Sequence, residues 1–124
     1  MAAGTVTITE ETYGTIKKIK FSWTSGDGAE DGTASGQTSE VYSGKILGLA
    51  TDPGSTAPSD NYTITITDED SMDILMGAAV GNRDTATTEY ILSTSLGAVA
   101  NDKLTINVSS AGTSKQGIAY LYIR

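Results

Sequence analysis

The chain contains neither cysteine nor histidine. Without thiols it has no disulfide framework and no zinc–thiolate site, and the redox compartment cannot be read from it. Without imidazole it lacks the commonest general base, the Ser-His-Asp and Cys-His pairs, and the usual ligand of catalytic transition metals. Proline (2), tryptophan (1) and phenylalanine (1) are scarce. No stretch approaches ~20 apolar residues, so no membrane-spanning helix is expected. The opening "MAAGTVTITE" has no basic n-region and no apolar h-region, and no signal peptide is expected. A net charge of −7 gives little of the positive surface that releases counterions from phosphates, so no nucleic-acid partner is expected.

What is present is a β composition. Glycine (14) and threonine are abundant, charged residues make up only 19%, and β-branched residues recur in short alternating runs. A chain of 124 residues fits one domain, 1–124, able to bury roughly two-thirds of the surface its unfolded form exposes. The periodicity is mostly two. Val6 and Ile8 alternate with threonines, and after a turn at "EETYGT" Ile19, Phe21 and Trp23 share a face opposite Lys18, Lys20 and Ser22. Ile16 is out of phase with that trio, which predicts a bulge near Lys17. Lys17, Lys18 and Lys20 read as a solvated strand face or as a small contact patch for an acidic neighbour.

Residues 25–39, "SGDGAEDGTASGQTS", offer nothing to bury and read as a flexible Gly-rich loop or arm that orders against a partner. Its acids Asp27, Glu30 and Asp31 match neither the EF-hand spacing nor the glycine-rich calcium nonapeptide. A strand follows over 41–50, interrupted by Gly44 and Gly48 as at bulges or close backbone approaches. "TDPGSTAPSDN" is a connection, and Tyr62, Ile64 and Ile66 then face inward against outward threonines. The acids that end this strand, Asp68, Glu69, Asp70 and Asp73, have three readings: a solvated turn, a calcium site, or a glycosidase-like carboxylate pair. The turn is preferred, because a catalytic pair needs one member in an apolar pocket. Residues 71–80 are the only candidate for a turn or two of helix.

Further on, 87–94 is a strand, and Arg83 beside Asp84 reads as a local salt link. Leu104, Ile106 and Val108, with the run 118–123, read as a terminal hairpin around "SSAGTSKQ". Its second strand is apolar on both faces, so it is expected to be central or covered by another subunit. Tyr120 and Tyr122 read as core with hydroxyls at the rim, or as interface residues. The sequons at Asn61 and Asn107 would matter only in a chain secreted by a eukaryote. Six to eight short strands predict an all-β fold, a single-domain antiparallel sandwich or small barrel with long Gly-rich loops.

Residues 40–124 also carry a resemblance. Ser43-Gly44-Lys45-Ile46, the "TDPG" and "PSDNY" turns, the strand into Thr67-Asp68-Glu69-Asp70, Gly81-Asn82-Arg83-Asp84 and the last two strands resemble small acidic β-proteins of tailed bacteriophages associated with virion structural genes. Ser71-Met72 departs from the pattern, where a glycine would be expected. The resemblance implies a virion component assembled in the host bacterial cytoplasm: a head decoration or cement protein, without catalytic residues, cofactor or metal, that binds the major capsid protein and stabilises the shell. It implies a homo-oligomer on the particle, with trimers at local threefold positions as one arrangement. The expected contacts are the N-terminal segment, exposed strand edges and Gly26, Asp27, Gly28, Gly32, Gly36, Tyr42, Tyr120 and Tyr122. Two alternatives stand beside it. One is a tail, neck or fibre-associated structural protein. The other is a carbohydrate- or calcium-binding β-sandwich module with Trp23, Tyr13 or Tyr42 as sugar platforms.

Overall fold

Alternating apolar residues can be buried on only one face of a strand, so two sheets must supply each other's cover. The computed structural model describes residues 4–26, 32–59, 62–81, 83, 87–92 and 96–124, and among these there are nine strands and no helix. They are β1 (Thr5–Tyr13), β2 (Ile16–Thr24), β3 (Ala34–Gln37), β4 (Tyr42–Pro53), β5 (Thr63–Thr67), β6 (Glu89–Leu92), β7 (Ala98–Asp102), β8 (Thr105–Ser109) and β9 (Gln116–Ile123). The larger antiparallel sheet has the order β1-β2-β9-β4-β6, with β7 also paired to β4, and the smaller has the order β3-β8-β5. The chain is therefore an all-β sandwich and not a closed barrel.

The core lies between the layers. Ile19, Phe21 and Trp23 from β2, Leu121 and Ile123 from β9, and Ile46 and Leu49 from β4 meet Ile64, Ile66, Ile106 and Val108 from the smaller sheet. Trp23 and Tyr62 bridge the two layers with ring centroids 5.5 Å apart and planes tilted by 55°. Such a tilted pair stabilises beyond its buried area, by about 0.5–1.5 kcal/mol. Gly117 lies opposite Trp23 in the pairing of β9 with β2. A Cβ there would stand 2.7 Å from Trp23 Cε2 and 3.0 Å from Nε1, so the bare backbone is what admits the indole.

The sheet edges are managed in different ways. The edge of β5 is covered by the segment that follows it: Ala79 accepts from Ile64 N (3.0 Å), Ile66 accepts from Ile74 N (2.8 Å) and Tyr62 accepts from Arg83 N (3.1 Å). β6 is only four residues long. β1 leans on β3, where Gly36 leaves room for Val6.

Several expectations are corrected. Residues 10–13 belong to β1, and the hairpin to β2 turns at Gly14-Thr15. β2 pairs in unbroken register with both neighbours, so there is no bulge at Lys17. Ile16 lies on the outer face with Lys18 and Lys20, exposed where the hairpin leaves the core. Part of the expected loop 25–39 is strand β3, whose Ala34 and Gly36 pair with Val108 and Ile106. The bulges expected in β4 at its glycines are present, between Tyr42 and Gly44 and between Ile46 and Gly48. Residues 71–80 form successive turns, because Met76 (φ 53°) and Gly77 (φ 78°) take left-handed backbone conformations that stop helix growth.

The largest correction concerns the last two strands. β8 pairs with β3 and β5, whereas β9 pairs with β2 and β4, so they are an arch between sheets and not a hairpin. The crossover 110–115 is held by the buried Ser25, whose hydroxyl donates to Gly112 O (2.6 Å) and accepts from Lys115 N (2.7 Å). Gly32 O accepts from Ala111 N (3.2 Å), and Gly26 O accepts from Ser114 N (3.3 Å).

Candidate functional site

Antiparallel partners share a face, so register gives the composition of the larger sheet's outer surface. Lys20, Tyr120, Ala50 and Tyr90 form one row across β2, β9, β4 and β6. Lys18, Tyr122 and Gly48 form the next. Both lysine ammonium groups stand over the Tyr120 ring, at 5.5 Å for Lys18 and 6.0 Å for Lys20 from its centroid. This cation–π stacking holds two positive charges beside an aromatic surface. Tyr90 is 75% exposed, far more than its partly buried neighbours Tyr120 and Tyr122.

Gly48 contributes no side chain to this surface. The result is a groove of about 200 Å³ floored by Gly48 and Ala50 and walled by Leu47, Tyr90, Ile91 and Tyr122. Among the described residues a Cβ on Gly48 would meet only Ile91 O, at 3.4 Å, an ordinary contact. A larger depression of about 390 Å³, lined by Gly4, Thr33, Ser35, Asn107 and Ser109 among others, carries no titratable side chain.

The acids after β5 are mostly turn chemistry. Asp68 Oδ1 accepts from the backbone N–H groups of Asp70 (2.9 Å) and Met72 (3.0 Å). Asp73 Oδ1 accepts from Leu75 N (3.0 Å) and Ile66 N (3.3 Å), and its Oδ2 accepts from Gly77 N (2.9 Å). Glu69 accepts from Lys103 N (2.8 Å). Asp68, Asp70 and Asp102 each bring a carboxylate oxygen within 4.8 Å of the others. Partial desolvation, with the charges of Asp68, Asp70 and Glu69, holds the Asp102 carboxyl above its ordinary value. Three such oxygens are half or fewer of the six to eight that calcium takes. Met72, which follows these acids, and Met76, farther along the segment, are 65% and 71% exposed.

Glu10, on the inward side of β1, is a structural hub. Its carboxylate accepts from Ser39 N (3.2 Å), Ser39 Oγ (2.7 Å), Glu40 N (3.1 Å) and Tyr42 Oη (2.7 Å). Desolvation pushes this carboxyl up, but the four hydrogen bonds outweigh it and the net shift is downward. Burial, followed by the bond to Glu10 and its charge, pushes the Tyr42 phenol well above its ordinary range.

The residues expected to make contacts are scattered by the fold. Tyr120 and Tyr122 share the outer face of the larger sheet, whereas Gly117, Ala119, Leu121 and Ile123 of β9 are turned to the core. Gly26 and Gly32 are buried against the crossover, Gly36 sits in β3, and Tyr42 is a core residue tied to Glu10. Asp27 and Gly28, with Glu30 and Asp31, lie outside the described residues. Trp23 is in the core, 1% exposed, and Tyr13 is an exposed hairpin residue donating to Glu11 (2.7 Å). Arg83 is buried, 3.6 Å from Glu89 and donating to Thr51 Oγ1 (3.3 Å); Asp84, its expected partner, lies outside the described residues. Tyr90, Gly48 and Ala50 were not singled out for this face. Strand alternation gave each of them a side, but only cross-strand register brings them together. Comparison with protein-family models, curated proteins and solved structures found no match to this chain.

Proposed function

We propose that this chain is a bacteriophage virion structural protein, a head decoration protein that binds the outer surface of the capsid and stabilises the shell. The observation that supports a binding role most directly is the outer face of the larger sheet. There Tyr90, Tyr120 and Tyr122 lie beside Lys18 and Lys20 in a chain whose net charge is −7. Tyrosine is enriched at protein interfaces and among the residues that carry their affinity. The resemblance of residues 40–124 supplies the virion setting. In this reading the protein acts passively: it binds the assembled shell and not its free subunits, and so shifts the equilibrium toward the intact particle. The partner is the major capsid protein.

Quantitative mass spectrometry of purified particles tests this reading. About one copy per capsid subunit, or one trimer per local threefold position, is the expected result. About three to a dozen copies per particle would place the protein at the neck or tail instead, and absence from the particle would overturn the virion reading.

A further inference from the structure

The surface carries two exposed apolar features in opposite electrostatic settings. One is the groove over Gly48 and Ala50, between Tyr90 and Tyr122, with Lys18 and Lys20 on β2, one strand beyond Tyr122. Neither lysine has a carboxylate within 4.0 Å among the described residues, and both stand over Tyr120. The other is the turn segment 68–76. Met72 projects from it, 65% exposed, in the turn that Asp68 closes beside Glu69 and Asp70, and Met76, 71% exposed, lies farther along the segment.

We propose that this chain associates with itself head to tail, the 68–76 turn of one copy seating its Met72 side chain in the outer-face groove of the next. Thioether sulfur makes favourable contacts at aromatic ring edges, which the two tyrosine walls provide. The acids flanking Met72 meet the lysines beside the groove, so attraction of opposite charges fixes the direction of docking. Asp70 is exposed, and its carboxylate has no hydrogen bond among the described residues, so it is free to pair. Gly48 has a role in this arrangement: it adds no side chain to the floor of the groove. Because groove and turn are different surfaces, the contact is heterologous. It closes into a ring if the rotation permits and otherwise extends as a chain. This inference rests on the reading that the outer face is an interface, but not on the virion setting.

Sedimentation of the full chain at rising concentration, in low and high salt, tests it. The wild type is expected to form oligomers that weaken as salt screens the acid–lysine attraction. Tyr90→Ala breaks the groove and Met72→Ala breaks the turn; both residues are exposed, so neither change should disturb the fold. Each is expected to weaken self-association about tenfold or more. Mixed in equal amounts, the two variants should form a dimer and stop there, since one still has its turn and the other its groove. Three results would overturn the proposal: a wild type that is monomeric at every concentration, oligomers indifferent to both substitutions, or monomeric variants whose mixture yields no dimer. Particle composition decides the virion reading and solution mass decides this one, so either can fail alone.

Discussion

Two glycines in neighbouring central strands should respond to alanine in opposite directions. At Gly117 the new methyl would stand 2.7 Å from Trp23 Cε2 and 3.0 Å from Nε1, against an indole that is 1% exposed and packed at a tilt on Tyr62. Overpacking a filled core costs about 1–3 kcal/mol. At Gly48 the methyl meets, among the described residues, only Ile91 O, at 3.4 Å, and enters the groove. Removing glycine's excess unfolded-state freedom there should stabilise by about 0.5–1 kcal/mol. Urea unfolding followed by the fluorescence of the single tryptophan reads both. With a slope of about 1.5 kcal/mol per molar urea, the two midpoints should differ by roughly 1 M or more. Gly117→Ala should also shift the native emission, because it displaces the fluorophore itself. Equal midpoints, or a stabilised Gly117→Ala, would refute the packing argument at the Trp23 contact. Gly48→Ala carries a second signature: it should raise stability while weakening self-association.

Glu10→Gln should lower stability by about 1.5–3 kcal/mol, the range for hydrogen bonds to a charged group, since an amide cannot accept all four donors. Because the folded-state pKa of Glu10 lies below its ordinary value of 4.5, its contribution is complete above that pH and is lost as pH falls through the lowered value, so the acid limb of a stability profile should flatten in the variant. Tyr42 works in the other direction: its folded pKa is raised above 10.0, so its contribution is complete below that pH and declines as pH rises, which Tyr42→Phe would abolish in alkaline melting curves. Ser25→Ala removes a buried hydroxyl that bonds Gly112 O and Lys115 N, and should cost about 1–3 kcal/mol in urea unfolding. Asp102→Asn relieves the carboxylate crowd with Asp68, Asp70 and Glu69 and should raise the melting temperature at neutral pH; a fall would show that the cluster is stabilised by something other than its own residues.

The alternating strands were legible because burial on one face leaves a period of two in the sequence. Ile19, Phe21 and Trp23, and likewise Ile64 and Ile66, are buried as that period requires. β3 was not legible, because Ala34-Ser35-Gly36-Gln37 has almost no side-chain volume to pattern and is held in place by β8. β7, "AVAND", was missed for a similar reason: only Val99 is buried. The arch between β8 and β9 was misread as a hairpin because alternation specifies which face a strand buries and says nothing about which sheet it joins. The crossover is held instead by long-range contacts such as those of Ser25, nearly ninety positions away. The outer-face site was half visible. Lys18, Lys20, Tyr120 and Tyr122 each showed a side of a strand, but the row that joins them to Tyr90 exists only in the register through Ala50.

The placement of β9 between β2 and β4 also governs when the sandwich can form. The β1–β2 hairpin can close as soon as it has been synthesised, but β2 and β4 have no ladder to each other until residues 116–123 are available to bridge them. Until then both strands present unpaired edges, and the buried faces of the larger sheet have no continuous neighbour. Contacts of such long sequence separation make folding slow and leave the incomplete chain prone to aggregation. A fragment ending before Gln116 should therefore be recovered as insoluble material and not as a smaller sandwich.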